Sequence, residues 1–355
     1  AGSTGRVPFY KARGMAACQH QSVFTITVPA IVLAGPLIQM SSWLPLCLWL
    51  AYGAVWVYFT LPCSKIHGPF GGSKEKALDF YVAVILPLYQ MTLLLGFVLQ
   101  PEMGNTMMFG LTLLAMIFKG GVCMSVCLHR FAAHAAFRCS PLTSFALGWL
   151  GCLANQGGPI WWASQHRCHH KFCDEARDPH SPELMGVVNA FVFFAVPANQ
   201  EVNEEFVPPH LDSWPIRLLD TLGGVPVMVE FALAFTLGGL PGLWISYTSA
   251  WLCQTVTLWF NVVNHPPHTK SHAEPNAKLS CVASDTCDSS KLVAPSPFFH
   301  FLNLWLWTPN VFGEEAHLHH HDYPRCAKRP GIDLPGKLFV QPLEAAGMIW
   351  NVQQK

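Results

Sequence analysis

Nine of the 17 histidines in this 355-residue chain fall into short motifs whose spacing suits metal binding. His129 and His134 bracket His-Arg-Phe-Ala-Ala-His. His166, His169 and His170 belong to Gln-His-Arg-Cys-His-His, and His317, His320 and His321 to His-Leu-His-His-His. His265 follows Asn261 by four residues. On a helix, positions i, i+3 and i+4 span an arc of ~100°. Each His-x-x-His-His therefore sends three imidazoles to one side, and Asn261 shares a face with His265. His129 and His134 would stand ~140° apart on an ideal α-helix, so they are expected to serve different metals or to straddle a helix end. Nine imidazoles exceed the three or four protein ligands of one zinc centre. They suit two metal ions with positions left open for a reactant, and histidine alone leaves iron, zinc, copper and nickel all in play. One His-x4-His pair occurs by chance; three motifs together do not.

The elements that must hold these residues are apolar. Charged residues are 12% of the chain and apolar ones 51%, with 13 Trp and 24 Phe. That excludes a disordered chain. A net charge of zero argues against nucleic acid as a partner. Thirteen scattered Cys, an odd number, do not make a secreted disulfide scaffold and read as small apolar residues in a reducing compartment. Six runs approach the length needed to cross a ~30 Å hydrocarbon core. They pair as Phe24–Met40 with Trp43–Leu61, Tyr81–Leu99 with Met107–Leu128, and Val225–Gly239 with Leu243–Val263. Ser144–Ala154 and Val187–Pro197 are shorter and read as interfacial or re-entrant helices. With three hairpins, 20 of the 21 Lys and Arg fall on one side, Lys119 being the exception inside a span. The positive-inside rule puts that side in the cytosol or its organellar equivalent. Lys119 is expected to snorkel or to pair internally, Glu230 being a candidate partner. The expected fold is an all-α integral membrane protein of transmembrane hairpins capped by a cytosolic helical domain holding a dimetal centre. Its layout is a tail at 1–22, hairpins at 23–128, a cytosolic segment at 129–223, a hairpin at 224–264 and a cytosolic segment at 265–355.

With these motifs in view, the chain resembles the membrane fatty-acyl desaturases, specifically their stearoyl-CoA (delta-9-type) branch. The likeness covers about 129–324 with its flanking hairpins. His129–His134 looks like the first histidine box of that branch. Trp162–Phe172 with Asp178-Pro179-His180 looks like the second box and its downstream Asp-Pro-His, and Gly313–His321 looks like the third. Asn261 and His265 match the family's additional Asn-x-x-x-His pair. The resemblance implies a four-span core, here with an extra N-terminal hairpin. It implies two Fe2+ ions on His129, His134, His166, His169, His170, His265, His317, His320 and His321, with Asn261 holding a metal-bound water. It also implies O2-dependent insertion of a cis double bond into a long-chain acyl substrate. Asp178, Glu314 and Asp322 are candidates to orient the ligating imidazoles. No His-Pro-Gly-Gly haem signature occurs, so the implied electron donor is separate, cytochrome b5 or ferredoxin.

Animal acyl-CoA members of the family carry Arg-Asp just before the first histidine of the second box; this chain has Ser164-Gln165. That difference favours an acyl lipid over acyl-CoA. Competing readings are a hydroxylase or acetylenase on the same scaffold and a non-catalytic lipid-binding subunit of a membrane assembly. A metal transporter is a further alternative, although transporters place their ligands near the bilayer midplane. Cys168, between two ligand histidines, reads as a packing residue. His180, His268, His272, His300 and His319 are expected at the surface or behind the ligands, and His67 and His210 in ordinary loops. The first acidic residue is Glu75, and the basic, Ser-bearing start is compatible with organellar processing. Both ER and plastid membranes stay open.

Overall fold

The computed structural model describes residues 106–191, 193–195, 199, 201–265 and 297–354. The expected spans at 24–61 and 81–99 lie outside the described residues. Helix α1, Thr106–Phe118, runs without a break into a π-helical segment, Lys119–Ala133. Together these 28 residues are long and apolar enough to cross a membrane. The expected end at Leu128 is therefore passed, and the helix carries both His129 and Arg130 before stopping at His134. Met107, Leu111, Leu114 and Phe118 form an exposed apolar stripe at helical spacing along α1.

A two-residue strand, Arg138–Cys139, pairs antiparallel with Ile349–Trp350 near the C-terminus, Arg138 opposite Trp350. Helix α2, Pro141–Cys152, starts three residues before the expected Ser144. Pro141 is preset for a first helical position, and the Ser140 hydroxyl accepts from the Thr143 N–H at 3.1 Å. Helix α3, Pro159–Phe172, carries the second histidine motif. Two short helices follow, α4 (Pro182–Met185) and α5 (Val187–Phe191), then a single 3₁₀ turn at Phe193–Ala195. The helix expected over Val187–Pro197 is thus shorter than its apolar run. Helix α6 is Trp214–Thr221.

Helix α7, Val225–Asn264, is broken at Gly239, whose φ of 61° and ψ of −150° suit glycine. Its two arms fold back on each other. Ser246 Oγ donates to Glu230 Oε1 at 2.6 Å, and the Phe231 and Tyr247 rings lie 5.9 Å apart. The turn falls at the expected Gly-Leu-Pro-Gly. Lys119 pins the π segment to both arms, with Nζ 2.8 Å from Glu230 Oε1 and 2.8 Å from the Ser246 carbonyl. This is the internal pairing expected of a lysine in an apolar helix. The arm Val225–Gly239 and helix α6, bent by 67° to each other, are long and apolar enough to cross a membrane only as a pair.

Helices α8 (Pro297–Asn303), α9 (Trp307–Phe312) and α10 (His317–Asp322) lead to a π turn at Gly336–Val340 and to α11, Gln341–Ala345. One buried apolar cluster joins the π segment to α2 and α3 through Leu128, Phe131, Phe137 and Ile160. A second packs Trp259 and Val263 of α7 against Phe191 and Phe299. The histidines lie between these clusters.

Candidate metal centre

Three helical elements and one helix end supply the nine histidines. The π segment brings His129 and His134, although an α-helix would have splayed them apart. Its i→i+5 bonding, closed by the His134 N–H on the His129 carbonyl at 3.2 Å, stacks residues five apart. The helix end falls between them, one of the two expected arrangements, with His129 inside the helix and His134 as its C-cap; the two rings come to 5.0 Å in the same five-histidine group and so do not serve separate groups. Helix α3 adds His166 and His170 to that group, and α10 adds His320. His320 Nε2 lies 2.9 Å from His129 Nε2 and 2.9 Å from His170 Nε2; His166 Nε2 lies 3.0 Å from His134 Nε2 and 3.1 Å from His170 Nε2.

A second group gathers beside it. His265, ending α7, places Nε2 2.9 Å from His317 Nε2, which is 3.2 Å from His321 Nε2. The His169 ring lies 4.6 Å from that of His265 and 5.2 Å from that of His321. The nine sequence-selected histidines therefore fall into a five and a four.

These approaches suit a metal better than hydrogen bonds. A neutral imidazole Nε2 offers one proton or one lone pair, so it cannot satisfy two other Nε2 atoms at once. Nitrogens bound at ~2.1 Å and at right angles about one ion stand ~3.0 Å apart. Burial first, then the charges of neighbouring rings and of Arg329, holds His166, His170, His317, His320 and His321 below the ordinary imidazole range. They stay neutral, with lone pairs free for a cation. An all-imidazole donor set with these spacings fits two transition-metal ions.

Carboxylates stand behind several rings. His169 Nδ1 is 2.9 Å from Asp178 Oδ2, His129 Nδ1 is 3.3 Å from Glu314 Oε2 and His265 Nδ1 is 3.4 Å from Asp174 Oδ2. Burial pushes the Asp178 carboxyl up, but His169 and the His180 N–H outweigh it and hold it below the usual carboxylate range. Asp178 and Glu314 thus stand behind the His169 and His129 rings. Asp322 does not: it is exposed, and as the neighbour of His321 it is turned ~100° away from that ring's face. Asp174 was missed, and its place four residues after His170 was its sole signal. His180, expected at the surface or behind the ligands, is buried behind one of them, with its ring 4.1 Å from that of His169. His210 bonds the Phe131 carbonyl at 3.0 Å. His300 is exposed, and the Cys168 thiol donates to the Arg177 carbonyl. His67, His268 and His272 lie outside the described residues.

A cavity opens onto both groups, touching His129, His166 and His317. Its other walls are mainly apolar, with Met116, Met124, Trp162, Phe260 and Phe312, while Asn261 and Glu314 bring polar atoms near the histidines. The Trp162 ring stacks on His166 at 4.8 Å. Met116 lies 13 residues before His129, so the cavity runs at most ~20 Å along that helix.

The start of α3 is capped from outside its own sequence. Asp220 Oδ1, on α6, accepts from the Ile160 and Trp161 N–H groups at 2.7 and 2.9 Å. The approach requires glycine at 158, where a Cβ would collide with Asp220. Burial raises the Asp220 carboxyl to about 6. Its folded-state pKa exceeds the unfolded value of ~3.9, so its contribution is fully present below pH ~4 and is lost as pH rises through ~6. Asp220→Asn, which keeps the acceptor without the charge, should flatten that fall. Asp220→Ala orphans both donors and should cost ~1–2 kcal/mol. Thermal midpoints of the three proteins between pH 4 and 8 measure both effects.

No known protein-family model matches the chain. It is 29% identical over 248 residues to a hex-5-enoyl-(acyl-carrier protein) acetylenase of Moorena producens, covering 65% of this chain and 72% of that protein. It is 29% identical to an acyl-CoA 5-desaturase of Anemone leveillei over 63% of each chain. A chloroplastic palmitoyl-monogalactosyldiacylglycerol delta-7 desaturase of Arabidopsis thaliana is 39% identical over 30% of this chain and 28% of its own length. The chain thus spans less than two thirds of either plant relative. Through these relatives the chain is related to fatty acid desaturases of several kinds and to an acetylenase, which are oxidoreductases.

Proposed function

We propose that this chain is an O2-dependent fatty-acyl desaturase of the delta-9 type that holds two Fe2+ ions on its nine histidines. The observation that carries the reading is the meeting of nine imidazoles, in two groups, beside an apolar cavity. When bound, the irons would supply the oxidant needed to break an unactivated methylene C–H bond, which no side chain can break. Overall, one O2, two electrons and two protons convert –CH2–CH2– to –CH=CH– and two waters.

The chain's own residues do the rest. Asp178, Glu314 and Asp174 face the Nδ1 atoms of His169, His129 and His265, fixing ring orientation and leaving Nε2 for metal. Asn261, one turn before His265 and beside the cavity, would hold a metal-bound water. Met124, Trp162, Phe260 and Phe312 exclude bulk water and hold an acyl chain in one register. Ser164 and Gln165 favour an acyl lipid over acyl-CoA. Ser164 Oγ bonds the Trp161 carbonyl, and Gln165 Nε2 bonds the Glu201 carbonyl at 2.9 Å, so neither is spare to clamp a charged headgroup. The exposed stripe on α1 suits lipid contact. It supports a multi-pass protein of the ER or plastid, built as the three hairpins and two polar segments read from sequence, with its metal site on the cytosolic or stromal side. Electrons would come from cytochrome b5 or ferredoxin. The acetylenase relative keeps a second reading, further dehydrogenation to a triple bond.

Expression in a desaturase-deficient host with each donor, followed by gas chromatography of fatty acids, tests this. The expected result is a new monounsaturated acid. An alkyne would favour the second reading, and an unchanged profile with iron bound would overturn both. Met116→Ala, which deepens the far end of the cavity, should shift the product profile towards longer chains without abolishing it.

A further inference from the structure

Two adjacent glycines, Gly120 and Gly121, lie buried near the start of the π segment. Neither has the positive φ that calls for glycine, and glycine weakens a helix interior. Packing is what requires them. A Cβ on Gly120 would stand 2.5 Å from Phe312 Cε2 and 2.9 Å from its Cζ, and one on Gly121 would stand 3.3 Å from Cδ1 of the same ring. The two glycines therefore form a notch in which the Phe312 ring is seated.

The backbone of Phe312 is not free to retreat if the notch is filled. Its carbonyl accepts from Arg130 Nη2 at 2.7 Å. The next residue, Gly313, closes α9 in the left-handed conformation and lies against the Cβ atoms of Arg329 and Asp333. Pro335 stands beside Gly121, its Cγ 2.9 Å from where a Cβ would be. A displaced ring must therefore turn about its own side-chain bonds, and its open side is the cavity, which Gly120 and Phe312 both line. In the helix Gly120 falls between Met116, at the far end of that cavity, and Met124 and His129. The ring thus stands part-way along the path leading away from the histidines.

We propose that the Gly120–Gly121 notch and the Phe312 ring set the bore of the cavity, and with it the length of saturated acyl tail that the site accepts. The proposal rests on the acyl-chain reading of the cavity and names the residues that select the tail. With the ring seated, a straight tail passes it towards Met116. With the ring pushed out, the tail must stop short, because a close-packed interior has no room to absorb an added methyl elsewhere.

The test offers the purified full chain, in detergent, an equimolar mixture of palmitate and stearate and reads the two adducts by native mass spectrometry. In Gly120→Ala the stearate-to-palmitate ratio should fall ~10-fold, the affinity carried by burying two methylenes. Adding Phe312→Val to Gly120→Ala should return the ratio to within ~2-fold of the wild type, the coupling expected of two residues in contact. Should Gly120→Ala alone fail to fold, Phe312→Trp carries the same test, since a larger ring in the same notch must project into the cavity and lower the ratio. An unchanged ratio in a folded Gly120→Ala or Phe312→Trp overturns the notch as a selector of length. A lowered ratio that the double variant does not restore overturns Phe312 as the element that moves. A wild type that binds both acids yet forms no unsaturated product in the desaturase-deficient host overturns the desaturase reading and leaves the notch standing. A wild type that binds neither acid overturns the acyl-chain reading of the cavity, and the notch with it.

Discussion

His320→Ala should abolish the formation of new unsaturated fatty acid, with product falling at least ~100-fold, and should remove about one of two bound irons. The reasoning is geometric. His320 Nε2 is 2.9 Å from the Nε2 atoms of both His129 and His170, which come from different helices. It therefore joins the π segment to α3 through the metal, and no other donor of the five can move into its place without leaving its own helix face. Losing a residue that merely orients a ligand typically costs 10–100-fold in metal affinity or activity, so losing a central ligand should cost more. His319→Ala is the control: its ring packs on Tyr323 at 4.9 Å and belongs to neither group. Iron analysis and fatty-acid profiling on the same membranes check both variants. Full iron and undiminished product in His320→Ala would remove His320 from the ligand set. The same outcome would undercut the five-and-four division of the histidines.

The histidine motifs were legible in sequence because each encodes its convergence locally. Spacings of three and four place imidazoles on one helix face whatever the tertiary fold. For the His129–His134 pair the expected helix end between them is found, but the expected ~140° separation is not, since an α-helical period was applied where the chain is π-helical. No residue type marks that change of winding. The hairpin turn at Gly239 was legible from glycine and proline, and the start of α2 was missed despite Ser140-Pro141, because hydropathy alone set its boundary. What pairs with what across long separations was not legible. Asp220 caps a helix that begins 61 residues earlier, and Asp174 reaches His265 across 91 residues. Asp322 shows the converse, a carboxylate adjacent in sequence to a ligand but turned to solvent. Arg130 stood inside the first motif and attracted no role, yet it is among the most committed side chains in the described structure.

Arg130→Met should destabilise the fold by ~3–5 kcal/mol, the usual consequence of removing one partner from a buried ion pair. Arg130 is 0% exposed. Nη1 donates to the Ala327 carbonyl at 2.7 Å and to Asp333 Oδ2 at 3.0 Å. Nη2 donates to the Phe312 carbonyl at 2.7 Å and to Asp333 Oδ1 at 2.8 Å. The bidentate pair ties the π segment to the chain that follows α10, and the two carbonyl contacts fix the segments on either side of the third histidine motif. Methionine fills much of the volume but leaves Asp333 as a buried, half-compensated carboxylate and two carbonyls without donors. Lysine should rescue little, because a point charge cannot make four directed bonds from one place. Asp333→Leu in the Arg130→Met background should recover part of the loss, since removing both charges spares the unpaired one. Thermal melting of the purified proteins, with iron content measured in parallel, separates the two roles of this arginine. A structural tie predicts that stability falls first and iron is lost with it. A melting point within error of the wild type, accompanied by lost iron, would instead mean that Arg130 acts on the centre through His129 and Glu314 and contributes little to holding the two segments together.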